Sequence, residues 1–528
     1  LLLLLLVLPA AAQRYGKNKV QTENLSWQVL ATPHFDLHYH DGADELAVRA
    51  AIIAERAYRE YADRLDRDLP FRVPFILYSS HAQFAQTNIA PYLIGEGTGG
   101  FSEPFRNRIV LPYNGSHEDF VHVIRHELVH VFMFDMAFGG RSSDLGRNTF
   151  FRIPLWFAEG VAEWLSSGWD ARADMVIRDA TINDYLQPLE YVGGYMVYKQ
   201  GQAAMRVLSD RYGPDKLNEF WRAVGRMRSV EAALARVYGL TMEEFNRLYF
   251  RELRARYWPH YDDLEQMQDI ARPLTGLDRD MASFHGRPAL NPDGDLLVCF
   301  TDREGLIDLY LLSALDGREI RRLGRSMRAS RFESLHSFRS GLDWSPDGRE
   351  VVLVAKSDNR ETLHTIDVRS GEVTRSWNLE LDVAANPAWS PDGRLIALVG
   401  THHGRTDLYL LELAAGALDE LGLAGARELP GGMRMLRLTD DAGDEGAPRW
   451  SPDGRRLAFS HNPQAAVEFT FELLPDGTKR LVEASAASDT SRIAPPSAVE
   501  LIDVASGERY RLYEPHERRR DPIWIDDR

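Results

Sequence analysis

Cysteine is almost absent from this 528-residue chain. Cys299 is the only one, which excludes an intramolecular disulfide framework, any multi-cysteine zinc site and every C-x-x-C redox motif. Positive charge is scarce relative to acid: a net charge of −16 argues against a nucleic-acid partner, because phosphate binding needs clustered cations. Arg518-Arg519-Arg520 is the only compact basic run, and a solvated loop explains it. Long apolar runs are lacking too. Leu1 to Leu8, followed by Pro9-Ala10-Ala11-Ala12-Gln13, is too short to span a membrane. It reads as the apolar region and A-x-A site of a secretory signal, cleaved after Ala12. With no initiating Met and no basic segment before it, the sequence is expected to start inside a longer reading frame. No cysteine follows the cleavage point to carry a lipid. An exported protein, bacterial periplasmic or secreted, is expected, with no transmembrane span in the mature chain. Such a protein with large cores needs no disulfides.

What is present is enough apolar material, 44%, for more than one domain. The most informative segment is His126-Glu127-Leu128-Val129-His130. On a helix, residues i and i+4 are neighbours, so both imidazoles can face one ion. Catalytic zinc takes three protein ligands and keeps a position for water, while the Glu of H-E-x-x-H is the general base. Phe120, Val121, Ile124, Leu128, Val131 and Phe132 predict a largely buried helix. The bland alternative is two core histidines bonded to backbone. A second helical signal begins at Pro154, suited to a first turn, and carries Glu159 and Glu163 four residues apart. One acid can reach the ion while the other orients a ligand histidine. Trp156, Phe157, Val161 and Trp164 leave little polar face for two merely solvated acids.

H-E-L-V-H followed by W-F-A-E-G-V-A-E-W resembles the gluzincin metallopeptidases, whose third zinc ligand is the Glu of a W-x-x-E-G segment. The resemblance implies Glu159. The 28 residues between His130 and Glu159 exceed the interval of the aminopeptidase N family, and the likeness is closer to the peptidase MA-like domains of bacterial envelope proteins. Tyr191-Val192-Gly193-Gly194-Tyr195-Met196-Val197-Tyr198-Lys199-Gln200-Gly201 is similar to the gluzincin Y-E-K-G segment, which implies an oxyanion-stabilising role for Tyr198, with Tyr195 in reserve. The spacing of Tyr191, Tyr195 and Tyr198 equally fits a tyrosine stripe on a helical core face. The implied site is therefore Zn²⁺ on His126, His130 and Glu159, with Glu127 and Tyr198 catalytic and Glu163 supporting a ligand. Its reaction class is peptide-bond hydrolysis. Upstream, Gly97-Thr98-Gly99-Gly100 leads to a strand at Arg108–Pro112. In gluzincins such a strand borders the cleft, where an edge can hold an extended peptide; an ordinary glycine-rich turn is the alternative.

The second half repeats. Asn291-Pro292-Asp293-Gly294, Ser345-Pro346-Asp347-Gly348, Ser390-Pro391-Asp392-Gly393 and Ser451-Pro452-Asp453-Gly454 start 54, 45 and 61 residues apart. Each predicts a turn before an apolar strand, Pro fixing φ and Gly accepting positive φ. The spacing suits one four-stranded propeller blade per repeat, and W-S-P-D-G resembles TolB-like propellers. A hairpin-like piece follows Ala465, and Ala484–Pro496 is small and polar enough for a loop. Asp521–Asp527 resembles another blade beginning, so a propeller of about six blades, truncated here, is expected. His38 and His40 alternate on a strand and are expected on a solvated face.

The expected fold is multidomain: a signal remnant (1–12), an α+β zincin-like peptidase domain (13–258), a linker (259–284) and all-β propeller blades (285–528). The expected function is an exported zinc metallopeptidase acting on a peptide or protein substrate, with the propeller binding substrate or an envelope protein partner. The alternative is a non-catalytic envelope scaffold working through its propeller. A serine peptidase of the prolyl oligopeptidase kind is excluded, because no G-x-S-x-G elbow occurs.

Overall fold

The computed structural model describes residues 24–90, 92, 94–104, 106–138, 153–261, 264–265, 267–276, 282–325, 331–463, 467–486, 498–512 and 522. The expected secretory signal, the Arg518–Arg520 run, most of the Ala484–Pro496 loop and all but Pro522 of the final blade-like segment lie outside the described residues.

Alternation of apolar residues builds the first sheet. β1 (Trp27–Ala31) pairs antiparallel with β2 (Phe35–His40), in which Phe35, Leu37 and Tyr39 are buried. α1 (Asp44–Leu65) covers one face with a stripe that includes Leu46, Ala50, Ile53 and Ala57, and Asp44 and Glu45 in its first turn suit the positive end of the helix dipole. β3 (Val73–Tyr78) joins β2 in parallel. A short α2 (His81–Phe84) leads to β4 (Phe101–Glu103) and β5 (Arg108–Pro112), β5 parallel to β3 and β4 antiparallel at the sheet edge. His40 is buried, with Nδ1 3.3 Å from the Asp41 carbonyl, and His38 is half-buried with its pKa lowered by burial. The solvated-face expectation for this pair therefore fails, because the sheet face opposite α1 is also covered: His38 stands beside Ile76, which packs against Tyr78, Phe84 and Val110.

Helices α3 (His117–Phe138), α4 (Leu155–Ser167), α5 (Ala171–Ile182), α6 (Met196–Tyr212), α7 (Pro214–Met227), α8 (Val230–Tyr238) and α9 (Met242–Tyr261) follow. They share one apolar core with the sheet, including Phe132, Trp156, Phe220 and Phe245. α9 continues through Pro259 to Tyr261, past the expected start of the linker. No helix among the described residues is long and apolar enough to cross a membrane.

The repeats form antiparallel meanders of four or five strands, the third and fourth joined into one nine-stranded sheet where Thr406 meets Asp444 in parallel. The first is β6 (His285–Leu290), β7 (Leu296–Thr301), β8 (Asp308–Ser313) and β9 (Glu319–Gly324). The second is β10 (Leu342–Trp344), β11 (Glu350–Ser357), β12 (Arg360–Asp367) and β13 (Val373–Asn378). The third is β14 (Val383–Trp389), β15 (Leu395–His402) and β16 (Arg405–Glu412), extended by a small hairpin of β17 (Arg427–Glu428) and β18 (Arg434–Arg437). The fourth begins with β19 (Asp444–Trp450) and β20 (Arg456–Asn462). It is interrupted by β21 (Val467–Leu473) and β22 (Lys479–Ala486), then completed by β23 (Ala498–Asp503) and β24 (Arg509–Arg511). Each Pro-Asp-Gly turn closes by a bond from its Gly N–H to the carbonyl three residues back, 2.9–3.0 Å, with glycine φ between +67° and +75°. Neighbouring meanders are stitched by indole donors: Trp344 Nε1 bonds Ala289 O at 2.9 Å and Trp450 Nε1 bonds Ala388 O at 3.1 Å.

The β21–β22 hairpin leaves the fourth meander and adds to the first sheet, β22 running parallel to β1 with Leu30 opposite Lys479 and Ala31 opposite Arg480. Lys479 pairs with Asp44 and lies 5.6 Å from the Tyr39 ring, while Phe469, Phe471 and Leu481 pack on the first core. The two halves also meet at Asp444, whose carboxylate accepts from His117 N–H at 2.6 Å and Tyr113 OH at 3.1 Å. A side chain of the repeat region thus caps the first turn of α3.

Candidate metal centre

α3 and α4 cross so that the residues singled out in both segments converge. His126 Nε2 and His130 Nε2 lie 3.2 Å apart, and Glu159 Oε2 lies 3.1 Å from the first and 3.3 Å from the second. A tetrahedral ion with bonds of about 2.0–2.1 Å needs ligand atoms about 3.3 Å apart. The donor triangle therefore fits Zn²⁺ in both size and chemistry, two imidazoles and a carboxylate. All three side chains are about nine-tenths buried.

The electrostatics favour a cation in this place. Burial would lower the His126 pKa, but hydrogen bonding to Glu159 and Glu163 raises it to about 10. Burial would raise Glu159, yet His126 and His130 bring it down to about 2. Glu163 is likewise held far below the carboxylate range against its burial, by His122 and His126. The field that keeps a proton among these groups is the field a divalent ion requires.

Glu163 of α4 lies beside two histidines of α3. Its Oε1 lies 3.2 Å from His126 Nδ1 and 3.2 Å from His122 Nε2, and its Oε2 accepts from Lys199 Nζ at 2.6 Å. Glu127 is buried, and Ser102 Oγ of edge strand β4 lies 2.8 Å from both its carbonyl oxygen and its Oε2. Tyr198 stacks on His126 with ring centroids 6.0 Å apart and 30° between planes. Burial, then Glu159, Glu127 and Glu163, raise its hydroxyl above the ordinary tyrosine value.

The tyrosine stripe is corrected. Gly193 and Gly194 stop any helix there, and Gly194 takes φ +59°. α6 begins only at Met196, leaving Tyr191 80% and Tyr195 55% exposed outside it. Tyr198 alone of the three reaches the centre.

No family model and no curated protein matches this chain. Solved structures do. One described as a TolB from Agrobacterium tumefaciens is 20% identical with a TM-score of 0.30, covering 44% of this chain and 66% of its own. TolB from Acinetobacter baumannii is 17% identical with a TM-score of 0.22, covering 52% of this chain and 60% of its own. The chain thus spans less than two thirds of the length of either structure.

The packing that assembles the centre has no local sequence signal. α4 and α6 cross at Gly160 and Gly201, where a Cβ on Gly201 would lie 2.2 Å from Trp156 O and one on Gly160 2.5 Å from the Gly201 carbonyl carbon. Only glycine at both positions permits this approach, which carries Lys199 to Glu163 and Tyr198 to His126. Gly100 does the same for the edge strand: a Cβ there would sit 3.0 Å from Leu111 Cβ and Val123 Cγ1. Ser102, His122 and Lys199 were not identified from sequence. The i,i+4 spacing of His122 and His126, and the place of Lys199 beside Tyr198, were the available signals.

Proposed function

We propose that this chain is an exported zinc-dependent peptidase of the gluzincin kind, hydrolysing peptide bonds. Its four meanders act as blades of a propeller that recruits a peptide substrate or an envelope protein. The observation that carries the reading is the near-equilateral triangle of His126 Nε2, His130 Nε2 and Glu159 Oε2 with Glu127 beside it. Bound Zn²⁺ supplies Lewis acidity toward the scissile carbonyl and makes water acidic near neutrality.

The chain's own groups do the rest. Glu127, fixed by Ser102, accepts a proton at its carboxylate and returns it to the leaving amine. Tyr198 keeps its proton and donates to the developing oxyanion. Glu163, neutralised by Lys199, holds His126 Nδ1 and so fixes the ring that presents Nε2. β4 is an edge strand among the described residues, on which an extended peptide adds as a strand.

The test is metal analysis of purified protein beside Glu127→Gln, with cleavage of a mixed peptide library. One zinc per chain in both proteins, and cleavage by the wild type alone, is the expected result. A wild type without zinc removes the peptidase reading and leaves the repeat region as the working part of a scaffold.

A further inference from the structure

A second cluster of ligand-type side chains lies in the repeat region, remote in sequence from α3 and α4. A carboxylate oxygen of Asp441, one of Glu445 and a ring nitrogen of His461 all lie within 4.8 Å of one another, with His461 Nδ1 3.5 Å from Glu445 Oε1. Ladder pairing sets the last two side by side: Glu445 of β19 stands opposite His461 of β20. At the corresponding places the first meander has His285 opposite Thr301 and the third has Ala384 opposite Gly400, so the repeat itself calls for no acid there. Gly443 brings in the third group. A Cβ on it would lie 2.8 Å from His461 Nδ1 and 2.9 Å from Asp441 Oδ1, so only glycine lets the loop before β19 close on the ring.

The observation that points to a ligand is Glu445. Its side chain has no exposed surface, and neither carboxyl oxygen has a hydrogen-bond partner among the described residues. Burying such a group without partners is costly whether it is charged or neutral. The cations nearby are committed to other acids. Arg437 bonds Asp407, and Arg509 bonds Asp441 through Nη1 and Glu500 through Nε and Nη2, which leaves Nη2 3.6 Å from Glu445 Oε1. His461 is suited to ligation. Burial lowers its pKa, and its Nδ1 accepts from Arg509 Nη2 at 3.2 Å, so the ring is neutral with its lone pair turned toward the acids. Burial, then Asp441 and Asp407, push the Glu445 carboxyl up to about 10, a penalty on its anion that a divalent ion removes.

We propose that Asp441, Glu445 and His461 hold a divalent transition ion, one imidazole and two carboxylates being a donor set for Zn²⁺ rather than for Ca²⁺ or Mg²⁺. Bonds of about 2.0–2.2 Å place donors about 3.0–4.4 Å apart, so the Asp441 carboxylate closes in by under about 1 Å. Asp441 reaches the surface and gives the ion its way in. Arg509 is the competitor: it releases Asp441 as the ion enters and keeps Glu500. The ion is therefore held more weakly than one at the α3–α4 centre and fills from added metal. It ties the loop between the third and fourth meanders to β19, beside Asp444, the residue that meets α3. The two sites share no side chain.

The experiment is calorimetric titration of Zn²⁺ into the purified full chain at pH 7. One added Zn²⁺ per chain is expected to bind, with a Kd below about 100 μM. Glu445→Gln, a neutral isostere, and Asp441→Asn, a change at the surface, each weaken it by at least about tenfold, whereas Arg509→Gln strengthens it by at least about tenfold. A cluster that served only as an ion-pair network would gain nothing from Arg509→Gln. No such binding, equal affinities in the wild type, Glu445→Gln and Asp441→Asn, or no gain in Arg509→Gln overturns the proposal. The zinc carried on purification depends instead on His126, His130 and Glu159, so failure here and failure of the peptidase reading are told apart.

Discussion

Gly201→Ala is the sharpest probe of how the metal centre is assembled. The added Cβ would stand 2.2 Å from Trp156 O and 2.8 Å from Gly160 Cα, both backbone atoms that no rotamer change can move. Ordinary carbon contacts lie near 3.5 Å, so α6 must withdraw from α4 by about 1 Å. Overpacking of this kind costs about 1–3 kcal/mol; the upper end applies because only helix displacement relieves it. For a unit of this size that lowers Tm by about 6–12 °C. His126, His130 and Glu159 lie on α3 and α4, so zinc content should persist. Tyr198 and Lys199 travel with α6, and a misplacement of about 1 Å costs on the order of 10²-fold in rate. Differential scanning calorimetry, zinc analysis and kcat/KM on a cleaved peptide measure the three effects. Gly193→Ala, where a Cβ meets nothing within 4 Å, is the control. A Gly201→Ala protein with wild-type Tm and turnover would refute the helix-crossing reasoning.

Ser102→Ala should leave zinc stoichiometric and lower kcat by about tenfold, because Glu127 loses the hydroxyl that fixes its carboxylate; an unchanged kcat removes Ser102 from the site. Lys199→Met leaves the buried Glu163 carboxylate without its cation and should destabilise the protein by about 3–5 kcal/mol, read by urea unfolding. Glu163→Gln weakens zinc affinity by about 10–100-fold in a chelator competition, since His126 Nδ1 loses its carboxylate. His336 offers a pH test. Burial would lower its pKa, but Glu361 and Glu96 raise it from 6.5 to about 9. Its contribution to stability is therefore full below pH 6.5 and disappears as pH rises through 9. His336→Gln should flatten that part of the Tm profile, and an unaltered profile would contradict the assignment.

What could be read from the sequence was local. Residues i and i+4 on one helix face forecast that His126 and His130 would face together, and turn chemistry forecast the hairpin between the first two strands of every meander. Tyr198 follows from motif likeness, while the stripe through Tyr191 and Tyr195 fails because Gly193-Gly194 keeps the helix from starting before Met196. Contacts between distant segments left no local trace. Ser102 lies 25 residues from Glu127 and Lys199 36 residues from Glu163. Asp444 caps α3 from 327 residues away. A hairpin has the same alternating pattern whichever sheet it joins, so nothing in residues 467–486 announced pairing with β1.

That hairpin sets a timetable for biosynthesis. Ala31 leaves the ribosome about 450 residues before Arg480, its partner in the ladder, an interval of roughly 20–90 s at ordinary translation speed. Throughout that time the outer side of the sheet is a bare template for any passing strand. Chaperone cover during this window, rather than final thermodynamic stability, should therefore govern the yield of soluble protein.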